Sequence, residues 1–151
     1  MSSPLLEFRL VGPAAAADLA SLRVEAMRES LERIGRFDPV RARVRFLEGF
    51  SPEHSREIVE AGERVGFFVV KPLDGGLLLD HLYIRPSHQH RGIGGAVLRS
   101  IFAEADEASL KIRVGALRGS ESNGFYARYG FELVERTEFD NYYVRRPRGA
   151  L

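Results

Sequence analysis

The sequence has 151 residues, with 22 lysines and arginines against 21 aspartates and glutamates, and no cysteine. A chain of this length can form one domain with a hydrophobic core, and a content of 44% hydrophobic and 28% charged residues excludes a disordered, collagen-like or fibrous protein. The net charge of +1 gives no general field for binding nucleic acid or an anionic membrane, and the lack of cysteine excludes disulfides, thiolate metal sites and a cysteine nucleophile.

No targeting or membrane segment is evident from the sequence. No apolar run approaches the roughly 20 residues of a membrane span, and the N-terminus lacks a signal-peptide pattern. The cysteine-free composition fits a reducing compartment, so we expect a cytoplasmic protein. Because no repeat, low-complexity segment or linker interrupts the chain, we expect a single domain over residues 1–151.

The first third of the chain predicts one strand followed by two helices. Leu5–Val11 mixes apolar and single charged residues, as strands do, and Gly12-Pro13 then starts a helix that ends near Gly35. Asp38-Pro39 is typical of a cap and a first-turn proline, so a second helix follows. One face of that helix is predicted to carry Val40, Val44 and Leu47.

The rest of the chain predicts a mixed sheet. In chain order the segments are strands at Arg56–Glu60, Arg64–Lys71 and Leu77–Ile84, a helix at Gly94–Ala108, a strand at Lys111–Leu117, a helix at Ser122–Tyr129, and strands at Phe131–Phe139 and Tyr142–Arg145. The helix between Leu77–Ile84 and Lys111–Leu117 makes those two strands parallel, whereas the short turns make their neighbours antiparallel. We therefore expect an α/β (α+β) fold with a mostly antiparallel sheet of about six or seven strands and about four helices.

The loop between the third of these strands and the next helix predicts an anion site. Gly92, Gly94 and Gly95 let the backbone approach a ligand, and free N–H groups at the helix start attract negative charge. Arg85 and Arg91 lie beside these glycines, and no acidic residue occurs from His81 through Ala103. The pattern favours a phosphate or pyrophosphate.

Two common phosphate motifs do not fit this loop. A Walker loop needs Gly-Lys-Ser/Thr, but Gly95-Ala96 follows Gly94, and a dinucleotide motif needs a glycine where Val97 stands and an acid near Ile112. The pattern Gln89-x-x-Gly92-x-Gly94 after an apolar strand instead resembles the pyrophosphate-binding motif of the GCN5-related N-acetyltransferase (GNAT) family. The predicted element order is similar to that family's order over nearly the whole chain.

A second motif strengthens the resemblance. Phe125-Tyr126-x-x-x-Gly130-Phe131 closes the GNAT pattern, and Tyr126 falls on the tyrosine that often protonates the departing CoA thiolate in the family. Many relatives place an asparagine seven residues before that tyrosine, where this chain has Gly119. Asn123 is the candidate to replace it as a contact with CoA.

The resemblance implies transfer of an acetyl group from acetyl-CoA, the co-substrate, to a primary amine. Without a cysteine, direct attack in a ternary complex is expected rather than an acyl-enzyme. The Leu82 N–H would stabilise the oxyanion, and Ile84 would pair with the pantetheine amide, because the family's strand bulges at this place. The full set of cofactor-binding candidates is Leu82, Tyr83, Ile84, Gln89, His90, Arg91, Gly92, Ile93, Gly94, Gly95 and Asn123.

Two neighbouring residues are candidates for the base that deprotonates the amine. Asp80 interrupts an apolar strand on the same face as Leu82, where burial disfavours the charged carboxylate and makes it a better base, acting directly or through water. His81 titrates nearer neutrality but points to the opposite face unless the bulge re-aims it. We prefer Asp80 and keep His81 as the alternative. The structural alternative for Asp80 is an ion pair with a neighbouring arginine.

Partners and metals complete the sequence predictions. His81, His88 and His90 lie on a strand and a loop with no acid beside them, so no metal site is predicted. We expect no nucleic-acid or membrane partner and a small-molecule or peptide amine as substrate, and the resemblance leaves a homodimer open. Glu135, Glu138 and Asp140 are candidates to attract a cationic acceptor. The alternative function is a non-catalytic acyl-CoA-binding or regulatory module that keeps the phosphate loop.

Overall fold

The computed structural model describes residues 5–149 and contains the predicted elements in the predicted order. The strands are β1 (Leu6–Leu10), β2 (Ser55–Glu60), β3 (Glu63–Leu73), β4 (Gly76–Ile84), β5 (Lys111–Leu117), β6 (Glu132–Arg136) and β7 (Asp140–Arg145). The helices are α1 (Ala16–Arg33), α2 (Pro39–Glu48), α3 (Ile93–Glu107) and α4 (Ser122–Arg128). Residues 1–4 and 150–151 of the predicted domain lie outside this description. No helix within the described range is long and apolar enough to cross a membrane.

The strands form a seven-stranded sheet in the order β1-β2-β3-β4-β5-β7-β6. β4 and β5 are parallel, with Gly76 opposite Lys111 and Leu79 opposite Val114. The pairs β1–β2, β2–β3, β5–β7 and β6–β7 are antiparallel. The predicted fold class, a mixed and mostly antiparallel sheet with four helices, is therefore confirmed.

A side-chain cap and a tight turn set the start of α2 and the junction of β2 with β3. The Asp38 side chain accepts a hydrogen bond from the Arg41 N–H at 3.0 Å, which caps α2, and Pro39 occupies its first turn. Ala61 and Gly62 both have positive φ, at 51° and 79°, as a tight two-residue hairpin turn between β2 and β3 requires.

The chain divides into two compact units, each with its own buried side chains. The first unit holds the residues up to Val69 together with His81–Gly94, and the second holds Val70–Asp80 and the residues from Gly95 onward. A cluster in the first unit consists of Val11, Leu19, Ala20, Leu22, Phe46, Phe67 and Val69. Buried side chains of the second include Val97, Leu98 and Ile101 of α3 and Ile112 and Val114 of β5.

The apolar face predicted for α2 exists, but it is exposed. Val40, Val44 and Leu47 are all exposed, whereas Ala42 and Phe46 are buried. The Phe46 ring packs against the Phe67 ring at 5.3 Å, so the helix faces the core with this aromatic contact and turns its aliphatic stripe outward.

A charged pair in the second unit joins α3 to β7. The buried Arg145 guanidinium donates to both carboxylate oxygens of Asp106, at 2.8 and 3.0 Å, and its Cζ atom lies 3.9 Å from the centre of the Phe102 ring. The Arg148 N–H also donates to Asp106 at 3.0 Å. These hydrogen bonds, the Arg145 one foremost, lower the pKa of Asp106 from an ordinary 3.8 to about 2.

The lowered pKa of Asp106 predicts part of the acid sensitivity of the fold. Since the folded state favours the charged form, the stabilisation is fully present above about pH 4 and is lost as the pH falls to about 2. We expect Asp106→Asn to lower the melting temperature at pH 7 and to flatten its decrease between those two pH values. Thermal melts across this range test the effect, with Asp74→Asn in the exposed β3–β4 turn as the control. An unchanged acid profile in Asp106→Asn would contradict this role of the pair.

Candidate functional site

The loop from β4 to α3 has the backbone geometry of an anion cradle. After β4 the chain makes a short 3₁₀ turn, Pro86–His88, and α3 begins at Ile93. His90 and Gly92 both have positive φ, at 64° and 83°. A Cβ at Gly92 would meet no atom within 4 Å, so open space remains over this residue, directly before the N–H groups that begin α3. Free space, backbone donors and the positive end of a helix dipole are the features that an anion site combines.

Gln89 braces this loop in the structure. Its Nε2 atom donates to the Ile84 carbonyl oxygen at 3.0 Å, which ties the loop back to the last residue of β4. The contacts with the cofactor predicted for both residues stay predictions. The observed bond gives Gln89, the first residue of the motif, a structural role, because it holds the start of the glycine-containing loop against the end of β4.

Arg85 holds the end of β4 against β3. Its backbone N–H donates to the Val65 carbonyl at 2.8 Å, and its Nε atom donates to the Arg64 carbonyl at 2.9 Å. Its Nη1 atom also lies 3.4 Å from a carboxylate oxygen of Glu25. Its observed contacts are with protein groups, and the predicted place of this guanidinium beside the anion stays a prediction.

Arg91 also has an acidic partner. Its Nη2 atom lies 3.3 Å from a carboxylate oxygen of Glu60, at the end of β2. Although the sequence has no acid from His81 through Ala103, acids from distant elements therefore contribute negative charge near the loop. Glu25 and Glu60 were not among the residues predicted from the sequence, and no local signal could have found them, since both come from distant elements.

β3 and β4 approach each other closely at Gly66. A Cβ at this residue would lie well under 3.0 Å from the Tyr83 carbonyl oxygen. Nearby, Ile58 pairs with Gly66 but Val59 pairs with Arg64, so β3 contains one extra residue in its ladder with β2. This irregularity lies one strand away from β4, for which the family resemblance predicted a bulge, and the bulge in β4 stays a prediction.

Asp80, the preferred base, forms an ion pair. Its carboxylate lies 3.1 Å from the Nζ atom of Lys71, and both side chains are half-buried. The sequence analysis placed this acid among leucines, with an ion pair to a neighbouring arginine as the structural alternative. In the structure a lysine from β3 accompanies it.

His81, the alternative base, lies among aromatic rings of the first unit. Its ring centre is 5.3 Å from that of Phe46, 5.7 Å from that of Tyr83 and 6.3 Å from that of Phe67. The guanidinium of Arg23 lies over the Tyr83 ring at 6.0 Å. His81 thus contacts α2 in that unit through Phe46.

Tyr126 is buried in α4, and the motif around it has a structural explanation. Gly130 has a φ of 89°, the Phe131 N–H donates to the Tyr126 carbonyl at 3.1 Å, and the Gly130 N–H donates to the Ala127 carbonyl at 3.2 Å. This pair of bonds is the Schellman ending of a helix, and the contact between the Tyr126 and Phe131 rings at 5.3 Å is the apolar contact that accompanies it. Gly130 and Phe131 of the motif thus hold Tyr126 in position.

Asn123 holds α4 in place, one helical turn before Tyr126. Its Nδ2 atom donates to the carbonyls of Leu117 and Ser120, both at 2.9 Å. Its Oδ1 atom accepts from Asn141 Nδ2 and from the Tyr143 hydroxyl, both at 2.8 Å. These bonds engage both donors and both lone pairs of the amide, so Asn123 has a structural role in holding α4. Its predicted contact with CoA stays a prediction.

Two glycines have aromatic neighbours that the sequence did not indicate. A Cβ at Gly95 would overlap the Tyr129 hydroxyl oxygen, and one at Gly115 would lie 3.0 Å from the Tyr142 ring. Gly95 was predicted to admit a ligand, but in the structure a tyrosine that follows α4 packs against it. The contact with the cofactor predicted for its backbone stays a prediction.

Among residues 5–149, no group of three or more histidines, aspartates and glutamates is placed to hold a metal ion. His88 and His90, two of the histidines near the loop, lie on the 3₁₀ turn and just after it.

Known structures share this fold. The chain superposes on the PaiA N-acetyltransferase from Thermoplasma acidophilum in complex with coenzyme A with a TM-score of 0.78 and 17% identity, over 97% of this chain and 99% of that one. For an acetyltransferase from Thermus thermophilus the values are 0.76 and 22%, over 97% and 99%. For the ribosomal-protein-S18-alanine N-acetyltransferase from Escherichia coli they are 0.70 and 12%, over 94% of each chain.

The family assignment comes from the sequence itself. No curated protein sequence matches the chain significantly. A family model described as an acetyltransferase (GNAT) domain matches residues 54–133, which is more than half of the chain and includes the phosphate loop and Tyr126. The chain belongs to the GNAT family and is an N-acetyltransferase of that family.

Proposed function

We propose that the chain acts as one catalytic domain, which transfers the acetyl group of acetyl-CoA to a primary amine by direct attack in a ternary complex. The observation that carries the proposal is the open cradle at Gly92, before the free N–H groups of α3. The structural similarity to a PaiA N-acetyltransferase in complex with coenzyme A supports the choice of CoA over other phosphate compounds.

The phosphate groups of CoA would bind to the backbone from His90 to Gly95. Positive φ at His90 and Gly92 turns successive N–H groups toward one side of the loop, and the N-terminus of α3 adds its partial positive charge. Arg91 keeps donors beyond the one that faces Glu60, because a guanidinium carries five N–H groups. Glu60 would then orient the arginine while it contacts a phosphate.

The acetyl thioester would lie along the end of β4. The Leu82 N–H would donate to the thioester oxygen as it becomes an oxyanion, an effect of about 3–4 kcal/mol in comparable sites. Tyr83 and Ile84 would continue the contact with the pantetheine chain. The Ile84 carbonyl, which already accepts from Gln89, has a second lone pair for this purpose.

Three proton transfers would accompany the chemistry. Asp80 would accept a proton from the ammonium, directly or through water, so that the amine nitrogen has a free electron pair for attack on the thioester carbon. As the C–S bond breaks, the Tyr126 hydroxyl would give its proton to the departing sulfur. The second proton that the nitrogen loses as it becomes an amide would return through water to the Tyr126 oxygen, so the hydroxyl is restored.

Substitutions at Asp80, Lys71 and His81 test the assignment of the base. We expect Asp80→Asn to lower kcat/KM by about 10²-fold or more, since a general base contributes about 10²–10⁴. Lys71→Met breaks the same ion pair but keeps the carboxylate, so it should retain most of the activity. His81→Gln should likewise remain active. Rates measured from pH 6 to 9 decide the question, and normal turnover in Asp80→Asn together with loss in His81→Gln would assign the base to His81.

The overall function is tested without any substitution. Acetyl-CoA is incubated with a panel of small amines, amino acids and peptides with free N-termini, and released CoA is measured with a thiol reagent. Acetylated product identified by mass spectrometry would establish transfer to nitrogen. CoA binding by calorimetry without transfer to any amine would favour the alternative, a non-catalytic acyl-CoA-binding module.

A further inference from the structure

Two segments that are distant in sequence present exposed aliphatic side chains. On α2 these are Val40, which is 70% exposed, and Val44 and Leu47. On β6 they are Leu133 and Val134, which is 48% exposed. Contiguous apolar patches on a protein surface mark interaction sites, whereas singly exposed apolar side chains are normal.

The α2 surface carries three arginines and one acid, Glu48, around its apolar stripe, so it is basic on balance. Val40, Val44 and Leu47 recur at helical spacing, and Arg41, Arg43 and Arg45 flank them. None of these three arginines has a carboxylate within salt-bridge distance among residues 5–149, and Arg43 donates only to the Ser21 hydroxyl, at 2.8 Å. The apolar stripe distinguishes this surface from a phosphate-binding patch, which needs positive charge alone.

The β6 surface is acidic around its apolar residues. All five residues of β6 are exposed, and the strand lies at one edge of the sheet. The segment 131–140 contains four acids and one arginine. Glu135 pairs with Arg113 at 3.0 Å, whereas Glu132 and Glu138 have no ion pair within the described part of the chain.

A backbone irregularity in β6 disfavours pairing of this edge with another strand. Leu133 pairs with Tyr143 and Glu135 with Tyr142 on β7, so Val134 is an extra residue that bulges from the ladder. Such bulges disturb the row of N–H and C=O groups that another strand would need. Side chains rather than backbone groups are therefore available for contact at this edge, which suits a helix as the partner.

From these observations we propose that α2 of one copy of the chain docks on β6 of a second copy. The basic and apolar stripe of α2 complements the acidic and apolar surface of β6 in sign and in apolar character. The two elements also match in length, since ten helical residues span about 15 Å and five strand residues about 17 Å. This assembly goes beyond the proposed function and uses none of the residues assigned to CoA, the base or the acid.

Charge reversal on each surface provides the test. The first variant carries Arg41→Glu and Arg45→Glu, and the second carries Glu132→Lys and Glu138→Lys. We expect the full-length wild-type chain to form dimers or larger assemblies in sedimentation equilibrium, and each variant alone to be monomeric. An equimolar mixture of the variants restores opposite charges at both contacts, so it should assemble again. Raising the salt concentration should dissociate the wild-type assembly, because exposed charges are screened.

A matched control and a folding check keep the result unambiguous. The double variant Glu7→Arg with Arg9→Glu reverses an exposed ion pair on β1, at the opposite edge of the sheet, and should assemble like the wild type. Circular dichroism verifies that every variant is folded. A wild-type chain that stays monomeric at all accessible concentrations would overturn the proposal. Folded α2 and β6 variants that still assemble, or a mixture that does not, would also overturn it.

Discussion

Replacing Gly66 by alanine should destabilise the protein by about 1–3 kcal/mol and weaken its binding of CoA. The added Cβ would lie well under 3.0 Å from the Tyr83 carbonyl oxygen, closer than real Cβ atoms come to a neighbour. The nearby Cδ1 atoms of Ile58 and Ile84, at 3.2 and 3.1 Å, belong to side chains that can rotate away. The carbonyl belongs to the backbone, so β4 itself must move.

The movement of β4 explains why a change on β3 should affect the ligand. Tyr83 stands between Leu82 and Ile84, whose backbone groups we assign to the thioester and the pantetheine chain. Arg85 anchors the same segment to the carbonyls of Val65 and Arg64, so the strain cannot be relieved without loosening those bonds. A displaced carbonyl at Tyr83 would therefore shift both neighbouring residues.

Denaturant unfolding and calorimetric titration with CoA measure the two effects of Gly66→Ala separately. Gly12→Ala is the matched control, because a Cβ at Gly12 meets nothing within 4 Å and its φ of −94° suits any residue. That variant should keep both stability and affinity. If Gly66→Ala unfolds like the wild type, the close approach of β3 to β4 is not as described. If it is destabilised but binds CoA normally, the assignment of Leu82 and Ile84 is wrong.

The elements of the fold could be predicted because their signals are local. Alternating apolar residues, the Asp38-Pro39 start of α2 and the Ala61-Gly62 turn act through residues that are neighbours in sequence. The direction in which α2 faces could not be predicted this way. Its aliphatic stripe and its Phe46 side are both apolar, and the contact of Phe46 with Phe67 of β3 decides which side is buried.

The ion pairs of the candidate site also depend on contacts between residues distant in sequence, so they could not be predicted either. The motif alone predicts unpaired arginines, since the nearest acids in sequence are more than ten residues away from Arg91 on either side. Pairing with Glu60 depends on where β2 ends relative to the loop, which the sheet determines. A sequence pattern therefore cannot predict ion pairs between distant elements. It can predict the role of the loop glycines, because a glycine affects the backbone conformation at its own position.

The tyrosine motif combines structural and chemical requirements in a few residues. Gly130 and Phe131 end α4 through the Schellman hydrogen bonds, and Asn123 fixes the beginning of the helix to Leu117, Asn141 and Tyr143. Both ends of this seven-residue helix are thus held, and Tyr126 lies between them. A sequence comparison detects the motif as one signal, although only one of its side chains is assigned to the chemistry.

Removal of the Tyr126 hydroxyl should therefore slow the reaction without disturbing the fold. Tyr126→Phe keeps the ring that packs against Phe125 and Phe131, both at 5.3 Å, and Tyr143, at 6.4 Å. The variant removes the hydroxyl and keeps these ring contacts. We expect kcat to fall by about 10²–10⁴-fold, the usual contribution of a general acid, while the Kd for CoA stays close to that of the wild type.

Tyr142→Phe is the matched control for this experiment. Tyr142 is a half-buried tyrosine on β7, its ring lies beside Gly115 and under the Arg113 guanidinium at 4.7 Å, and no chemical role is assigned to its hydroxyl. It should keep both the rate and the Kd for CoA. Initial rates with acetyl-CoA and an accepted amine, together with CoA titrations, decide between the outcomes. Wild-type turnover in Tyr126→Phe would transfer the protonation of the thiolate to water and leave Tyr126 with a packing role alone.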